Sequence, residues 1–393
     1  MSAAFKSISR TRKLESPRNA ILSLSLGAFA IGASEFMISG LLRDVAADLG
    51  VTIPTAGLLI TGYALGVAVG GPLMAILTGR LGRKEQLLLL IGIFITGNML
   101  CATAPSYFVL LVGRMVGAFC HGAYHGTASV VAGTLVPAEQ RVRAIALISA
   151  GVMIANVVGV PCGTALGQAV GWRAAFWAVS VLGATAAAAL MLCLPAEIGV
   201  APMKLRSEFK ALARPKVLLG FLLSFLFCLG LFGLFTYMTP LLTTVSGAKP
   251  EQIPTLLLLF GLGATVGVIG GGRLADRGLT LSIAIAFAAQ IAVYTMIVCF
   301  SSSLAAMYFL LFMLGAVAMA AVAPLKTLVL SAAFDAPGMA SALTSSTLNL
   351  GVAIGAAIGA LLLHNGLGYS DLPFIGIASA SMGLLILWLR GRS

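Results

Sequence analysis

The sequence predicts an all-α integral membrane protein, with twelve transmembrane helices arranged as two six-helix, pseudo-symmetric halves. Three observations carry this. Of 393 residues, 60% are hydrophobic and only 9% are charged, whereas a water-soluble domain carries about 25% charge. Apolar runs close to the roughly 20 residues that a bilayer-crossing helix needs recur along the whole chain. Basic residues alternate between the breaks that separate those runs, and the alternation counts the crossings.

The runs fall at 19–41, 54–79, 86–104, 107–133, 143–168 and 172–194, then at 217–240, 253–275, 280–300, 304–332, 338–364 and 371–389. Hydrocarbon offers no partner to a free backbone N–H or C=O, so each run satisfies its own groups as a helix. The alternating apolar–polar pattern of a membrane β-barrel is missing. The first run follows a basic start and contains Ala28-Phe29-Ala30, which mimics a signal peptide with its cleavage site. It continues to Leu42, however, and eleven further runs follow.

The net charge of +12 would, in a soluble chain, raise a nucleic-acid reading. The placement of the charge argues against one. Lys6, Arg10, Arg12, Lys13 and Arg18 precede the first run; Arg80, Arg83 and Lys84 follow the second, and Arg141 and Arg143 the fourth. Lys204, Arg206, Lys210, Arg214 and Lys216 lie between runs six and seven, Arg273 and Arg277 follow run eight, and Arg390 and Arg392 end the chain. Nineteen of the 24 basic residues thus fall on one face, against Arg43, Arg173 and Lys249 on the other and Arg114 and Lys326 inside runs. The positive-inside rule makes the rich face cytoplasmic and places both termini there. The expected organisation is a cytoplasmic tail 1–18, a six-helix half 19–194, a cytoplasmic linker 195–216, a second half 217–389 and a tail 390–393.

Each half repeats a signal after its second run. The first reads Gly79-Arg80-Leu81-Gly82-Arg83-Lys84 and the second Gly272-Arg273-Leu274-Ala275-Asp276-Arg277-Gly278. Six-helix halves related by repetition are a transporter architecture. With its flanking residues the first copy, Ala75 to Lys84, resembles the G-x-x-x-D-R-x-G-R-R loop of the major facilitator superfamily, specifically its twelve-helix drug:proton antiporters. Ala75 and Gly79 replace the first glycine and the aspartate of that pattern; the second copy keeps Asp276 and Arg277. Gly159-Val160-Pro161-Cys162-Gly163 in run five resembles the antiporter motif of the same family, and Gly171 to Phe176 and Ala33 to Leu41 are also similar to its exporters. The resemblance spans nearly the whole chain and is closest to exporters of arabinose, purine nucleosides and chloramphenicol. It implies a major facilitator fold and conformational gating, by Arg80, Gly82, Arg83, Asp276 and Arg277 on the cytoplasmic side and by Gly159, Pro161 and Gly163 in the motif typical of exporters. Physically, Pro161 removes a backbone donor and bends its helix, while the glycines admit close helix approach.

Ionisable groups inside a membrane helix are costly and mark function. Glu35 in run one and Arg114 in run four lie at similar depth, and the resemblance makes those helices neighbours. Glu35 is therefore the expected proton-coupling carboxylate, with Arg114 and His121 as partners. His121 and His125 are one turn apart on run four. The spacing can bind metal, but residue 122 is Gly and no third ligand follows, so no metal is expected. The alternatives are a proton relay, a polar cavity lining or hydrogen-bonded structural histidines. Helix position nominates Phe36, Met37, Tyr63, Tyr237 and Met238 as an apolar cavity wall, with His125, Asn156 and Asn349 as polar lining. Gly351, Gly355 and Gly359 make a smooth face for packing or sliding. The six cysteines stand singly and suggest neither disulfides nor zinc.

The expectation is a secondary exporter in a bacterial inner membrane that exchanges protons for a small amphipathic drug-like or metabolite substrate. Its partners are the lipid bilayer, the substrate and protons, with no nucleic acid, no cofactor beyond the proton gradient, and a monomeric state. No G-x-x-x-x-G-K-[ST] phosphate loop points to a nucleotide-driven pump. The alternatives are a sugar or nucleoside carrier with other ion coupling, or a membrane-embedded enzyme. An enzyme is not expected, since no nucleophile or acidic partner accompanies the histidines at a known spacing.

Overall fold

Helix boundaries follow the apolar runs closely. In the computed structural model residues 17–196, 198, 212–334 and 337–390 are described. Most of the expected N-terminal tail, Lys204, Arg206 and Lys210 of the linker, and residues 391–393 lie outside them. Among the described residues, twelve helices are long and apolar enough to cross a membrane. The first six are α1 (Pro17–Gly40), α2 (Ile53–Met74), α3 (Arg83–Ala102), α4 (Tyr107–Thr134), α5 (Arg143–Val170) and α6 (Trp172–Cys193). The second six are α7 (Pro215–Thr244), α8 (Pro250–Ala275), α9 (Leu279–Phe300), α10 (Leu304–Ala332), α11 (Met339–His364) and α12 (Tyr369–Arg390). An even number of crossings puts the starts of α1 and α7 and the ends of α6 and α12 on one face, here called the terminal face; the opposite face is distal.

The two halves repeat each other down to their backbone defects. In the first helix of each half the spiral breaks near the distal end and resumes for seven residues, as Leu42–Asp48 after α1 and as Met238–Thr244 within α7. In the fourth helix of each half it breaks midway, at Cys120 in α4 and at Ala321 in α10. The fifth helices differ. α5 carries a π-helical turn at Ala155–Gly159, immediately before Pro161. A proline ring clashes with the carbonyl four residues earlier, and a widened π turn is a usual way to accommodate such a fault. The bend expected from Pro161 therefore takes this form.

Small residues set the closest approaches. A methyl group on Gly113 would meet the Cys101 main chain at 3.0 Å, which holds α4 on α3. Gly263, Gly267 and Gly271 of α8 lie against the carbonyls of Phe312, Ala316 and Ala320 in α10. Gly351, Gly355 and Gly359 press α11 onto Phe225, Leu229 and Tyr237 of α7. Both helices of that last pair belong to one half, so this glycine face packs within the half and does not slide between halves. In lipid, where apolar burial drives little association, such contacts supply packing.

Between the halves, α2 meets α11, α5 meets α8 and the distal ends of α1 and α7 meet. Thr61 donates to Ala353 O at 3.3 Å, and Phe36 stacks on Phe232 with ring centroids 5.5 Å apart. Gly57 of α2 lies under the Tyr237 ring, and Gly261 of α8 lies against the main chain of Asn156 and Val157 in α5. All four contacts sit in the central or distal parts of their helices.

Candidate functional site

Arg114 and His121, two turns apart on either side of the break at Cys120, both turn toward α1 and α2. Arg114 is 2% exposed. Its Nη1 donates to Ser34 O at 2.7 Å and its Nη2 to Glu35 O at 3.0 Å. Its guanidinium carbon lies 4.0 Å from the centroid of the Tyr63 ring, a desolvated cation–π contact. The Ser34 hydroxyl donates to Asn98 Oδ1 at 2.7 Å. One guanidinium thus ties α1, α2 and α4 together, and Ser34 adds α3.

The sequence pairs Glu35 with Arg114; the structure brings the two residues together through the main chain. Arg114 holds the Glu35 carbonyl, while the Glu35 carboxylate faces His121, with Oε2 3.9 Å from Nε2. That separation is an ion-pair distance and too long for a direct hydrogen bond. The other ring nitrogen of His121, Nδ1, lies 3.2 Å from the Tyr63 hydroxyl. The arrangement is satisfied when Tyr63 donates to Nδ1 and Nε2–H points toward the carboxylate. His125 continues the line, its ring centroid 4.8 Å from that of His121, and its Nε2 is buried without a hydrogen-bond partner. The cluster therefore runs Glu35, His121, His125, with Tyr63 and Arg114 packed against it. Among the described residues, an ion pair joins Arg173 to Asp48 near the distal face, at 2.6 Å.

Beside this cluster a cavity lies between the halves. Phe36 of α1 and Asn156 and Val160 of α5 line it from the first half; Leu231, Phe232, Phe235, Leu257, Phe260 and Met319 line it from the second. Its rings form a continuous chain: Phe36 stacks on Phe232, Phe232 meets Phe235 edge-on at 5.8 Å, and Phe235 stacks on Phe260 at 4.3 Å.

Of the residues nominated for the cavity, Phe36 and Asn156 line it. Met37 is 1% exposed and packs on Gly163 instead; successive helical residues lie about 100° apart, so Phe36 and Met37 face different neighbours. Tyr63 belongs to the charged cluster, as does His125. Tyr237 is fully buried at the distal seam, where its hydroxyl donates to Ala356 O at 3.0 Å. Met238, beside it, is 1% exposed. Asn349 donates to Ser345 O of its own helix at 3.0 Å, and its Oδ1 is buried without a partner. The sequence reading missed Phe232, Phe235 and Phe260. The chain holds 20 phenylalanines, and lipid-facing and cavity-facing positions are equally apolar, so periodicity cannot select these three.

The loop residues nominated for gating lie apart from the cavity. Arg80 and Gly82 are exposed at the terminal face. Arg83 donates to Gln86 Oε1 at 2.8 Å, and Lys84 donates to Met191 O and Leu194 O at 2.6 and 2.7 Å, tying the loop to the end of α6. Asp276 and Arg277 are exposed and make no ion pair among the described residues. Gly159 and Gly163 bring α5 against Ala33 and Met37 of α1.

A duplicated twelve-helix bundle with a buried carboxylate cluster and a cavity between its halves is the framework of a secondary transporter. The family profile described as Major Facilitator Superfamily matches residues 24–355, and the chain belongs to that superfamily. It is 36% identical over 384 residues to the inner membrane transport protein YdhP of Escherichia coli (strain K12), covering 95% of this chain and 96% of that one. It is 36% identical over 349 residues to a chloramphenicol resistance protein of Streptomyces lividans, covering 88% and 89% respectively. Its fold matches the crystal structure of a bacterial homolog of the human lysosomal transporter Spinster in an inward-facing, occupied conformation, with a TM-score of 0.71 at 18% identity over 95% of this chain and 96% of that one.

Proposed function

We propose that the protein is a secondary active exporter that exchanges inward-moving protons for a small amphipathic substrate by alternating access. The observation that carries the reading is the Glu35 carboxylate, largely buried in the distal part of α1, 3.9 Å from His121 and next in sequence to Phe36 of the cavity wall. A carboxylate at this depth is costly and is kept for function. Neutralising it with a proton removes a largely buried charge, and a proton held more tightly in one state than in the other biases a two-state carrier. His121 and His125 lead from Glu35 along α4 toward the terminal face, a route for the proton. Arg114, spent on two carbonyls, fixes α1 at Ser34 and Glu35.

The positive-inside bias makes the terminal face cytoplasmic. The Thr61, Phe36, Gly57 and Gly261 contacts between the halves lie centrally and distally, which fits a carrier resting open to the cytoplasm. The similarity to a chloramphenicol resistance protein favours export. The protein works as a monomer in the lipid bilayer of a bacterial inner membrane, driven by the proton gradient without a cofactor.

The test is substrate-induced proton release from energised everted vesicles, wild type beside Glu35→Gln, over a panel of chloramphenicol, other amphipathic drugs, purine nucleosides and arabinose. Release by at least one compound in wild type and none in Glu35→Gln is expected. Release of equal size in the variant removes Glu35 from coupling.

A further inference from the structure

A second cavity adjoins the aromatic one on its terminal side, in the seam between α5 and α8. Asn156 and Met319 line both spaces and form a waist between them. Beyond the waist, Met153 of α5 faces Thr265 and Val268 of α8. The two spaces differ in chemistry. The first is walled by four phenylalanines. In the second, the Asn156 amide makes no side-chain hydrogen bond among the described residues, and Thr265 donates to Gly261 O at 3.2 Å, which leaves its oxygen free to accept. No charged side chain lines either space. In the neighbouring cluster, Glu35 faces His121, and Arg114 is bonded to main-chain carbonyls.

We propose that the two spaces form one bipartite cargo site, taking an uncharged molecule with a planar aromatic head and a short hydrogen-bonding tail. The head stacks among Phe36, Phe232 and Phe260, and the tail crosses the waist to the Asn156 amide and the Thr265 hydroxyl. A polyol is excluded because most of its hydroxyls would be buried without partners. An organic cation or anion is excluded because the lining holds no counter-charge. The π turn at Ala155–Gly159 is what carries Asn156 into the waist, at the point where the α5 main chain touches Gly261. This inference rests on the transport reading above and deepens it by naming the cargo class.

The experiment is binding to the purified full-length protein in detergent, read as quenching of intrinsic fluorescence. Three probes are used: a panel of neutral aryl amides headed by chloramphenicol, the planar cation ethidium, and arabinose. The variants are Asn156→Leu, which removes the amide at similar volume, and Met319→Trp, which fills the waist. Thermal unfolding of each variant confirms that it is folded. Saturable binding of aryl amides is expected, weakened roughly tenfold by Asn156→Leu, the loss of one buried hydrogen bond. Met319→Trp should abolish binding of the tailed amides while sparing the corresponding tailless arenes. The inference is overturned if no aryl amide binds the wild type, if ethidium or arabinose binds more tightly than the amides, or if neither variant alters amide affinity. Proton release in vesicles separates this from the transport reading. Amide binding without proton movement sinks proton exchange and leaves the cargo site standing, whereas proton movement driven by ethidium or arabinose alone does the reverse.

Discussion

Replacing Gly57 with alanine should open the distal seam. A methyl there would lie 2.6 Å from Cε1 and Cζ of Tyr237 and closer still to its hydroxyl. Unbonded carbons settle near 3.5–4.0 Å, so the ring must yield by about 1 Å. Tyr237 has nowhere to go. It is fully buried, its hydroxyl is bonded to Ala356 O at 3.0 Å, and its far edge already sits 2.6 Å from the position a methyl on Gly359 would take. Breaking that buried hydrogen bond costs about 1–3 kcal/mol. Gly57 belongs to the first half and Tyr237 to the second, so parting the halves at the distal face relieves the clash. The closed-distal state therefore loses about 1–3 kcal/mol relative to the open one, a shift of roughly five- to 150-fold. Spin labels on the exposed distal positions Thr103 and Glu251 would report it, as growth of a longer-distance population in Gly57→Ala. Adding Tyr237→Phe removes the atom in closest contact and should return the distribution toward wild type. An unchanged distribution in Gly57→Ala would falsify the assignment of this contact as the distal seal.

Two further predictions concern the polar groups. Arg114→Lys keeps the charge but cannot bond Ser34 O and Glu35 O together while lying on Tyr63. It should cost about 1.5–3 kcal/mol in unfolding stability and lower proton-coupled transport; a melting temperature within error of wild type would refute the role given to the fork. Hydrogen bonds from Arg173 and then Trp172 hold the Asp48 carboxyl below its ordinary range. Its stabilisation is then complete above the usual aspartate value of about 3.9 and is lost as pH falls through the lower folded value. The pair is well exposed, so Asp48→Asn should cost no more than about 1 kcal/mol. The melting gap to wild type should stay constant from neutral pH down to about 5 and begin to close below about 4; a gap that did not narrow as the pH fell further would rule the ion pair out as its source.

The twelve helices and their ends were legible because the bilayer is an unforgiving solvent. It demands about 20 apolar residues per crossing, and the basic loops mark the faces. Glu35, Arg114 and His121 were legible because an ionisable residue stands out in an apolar run. The partner of the Glu35 carboxylate was not. Depth along the helix could pair it with Arg114, but only the azimuth of each side chain decides that Arg114 takes the carbonyl and His121 faces the acid. The same limit hid the breaks at Cys120 and Ala321, which hydropathy passes over without a mark.

The cavity was the least legible part. In a soluble protein, periodicity separates the buried face of a helix from the wet one; here lipid, helix neighbours and cargo all present apolar surroundings. Phe36 and Met37 are adjacent and alike in character, yet one stacks on Phe232 across the seam and the other packs on Gly163 within its own half. What the amino-acid sequence determined by itself is the solvent, the crossings, the repeat and the rare buried charges, since each follows from composition along a single helix. What only the tertiary structure decided is which faces meet, because that depends on helix rotation and crossing, and those are set by small residues whose effect appears only when two helices are brought together.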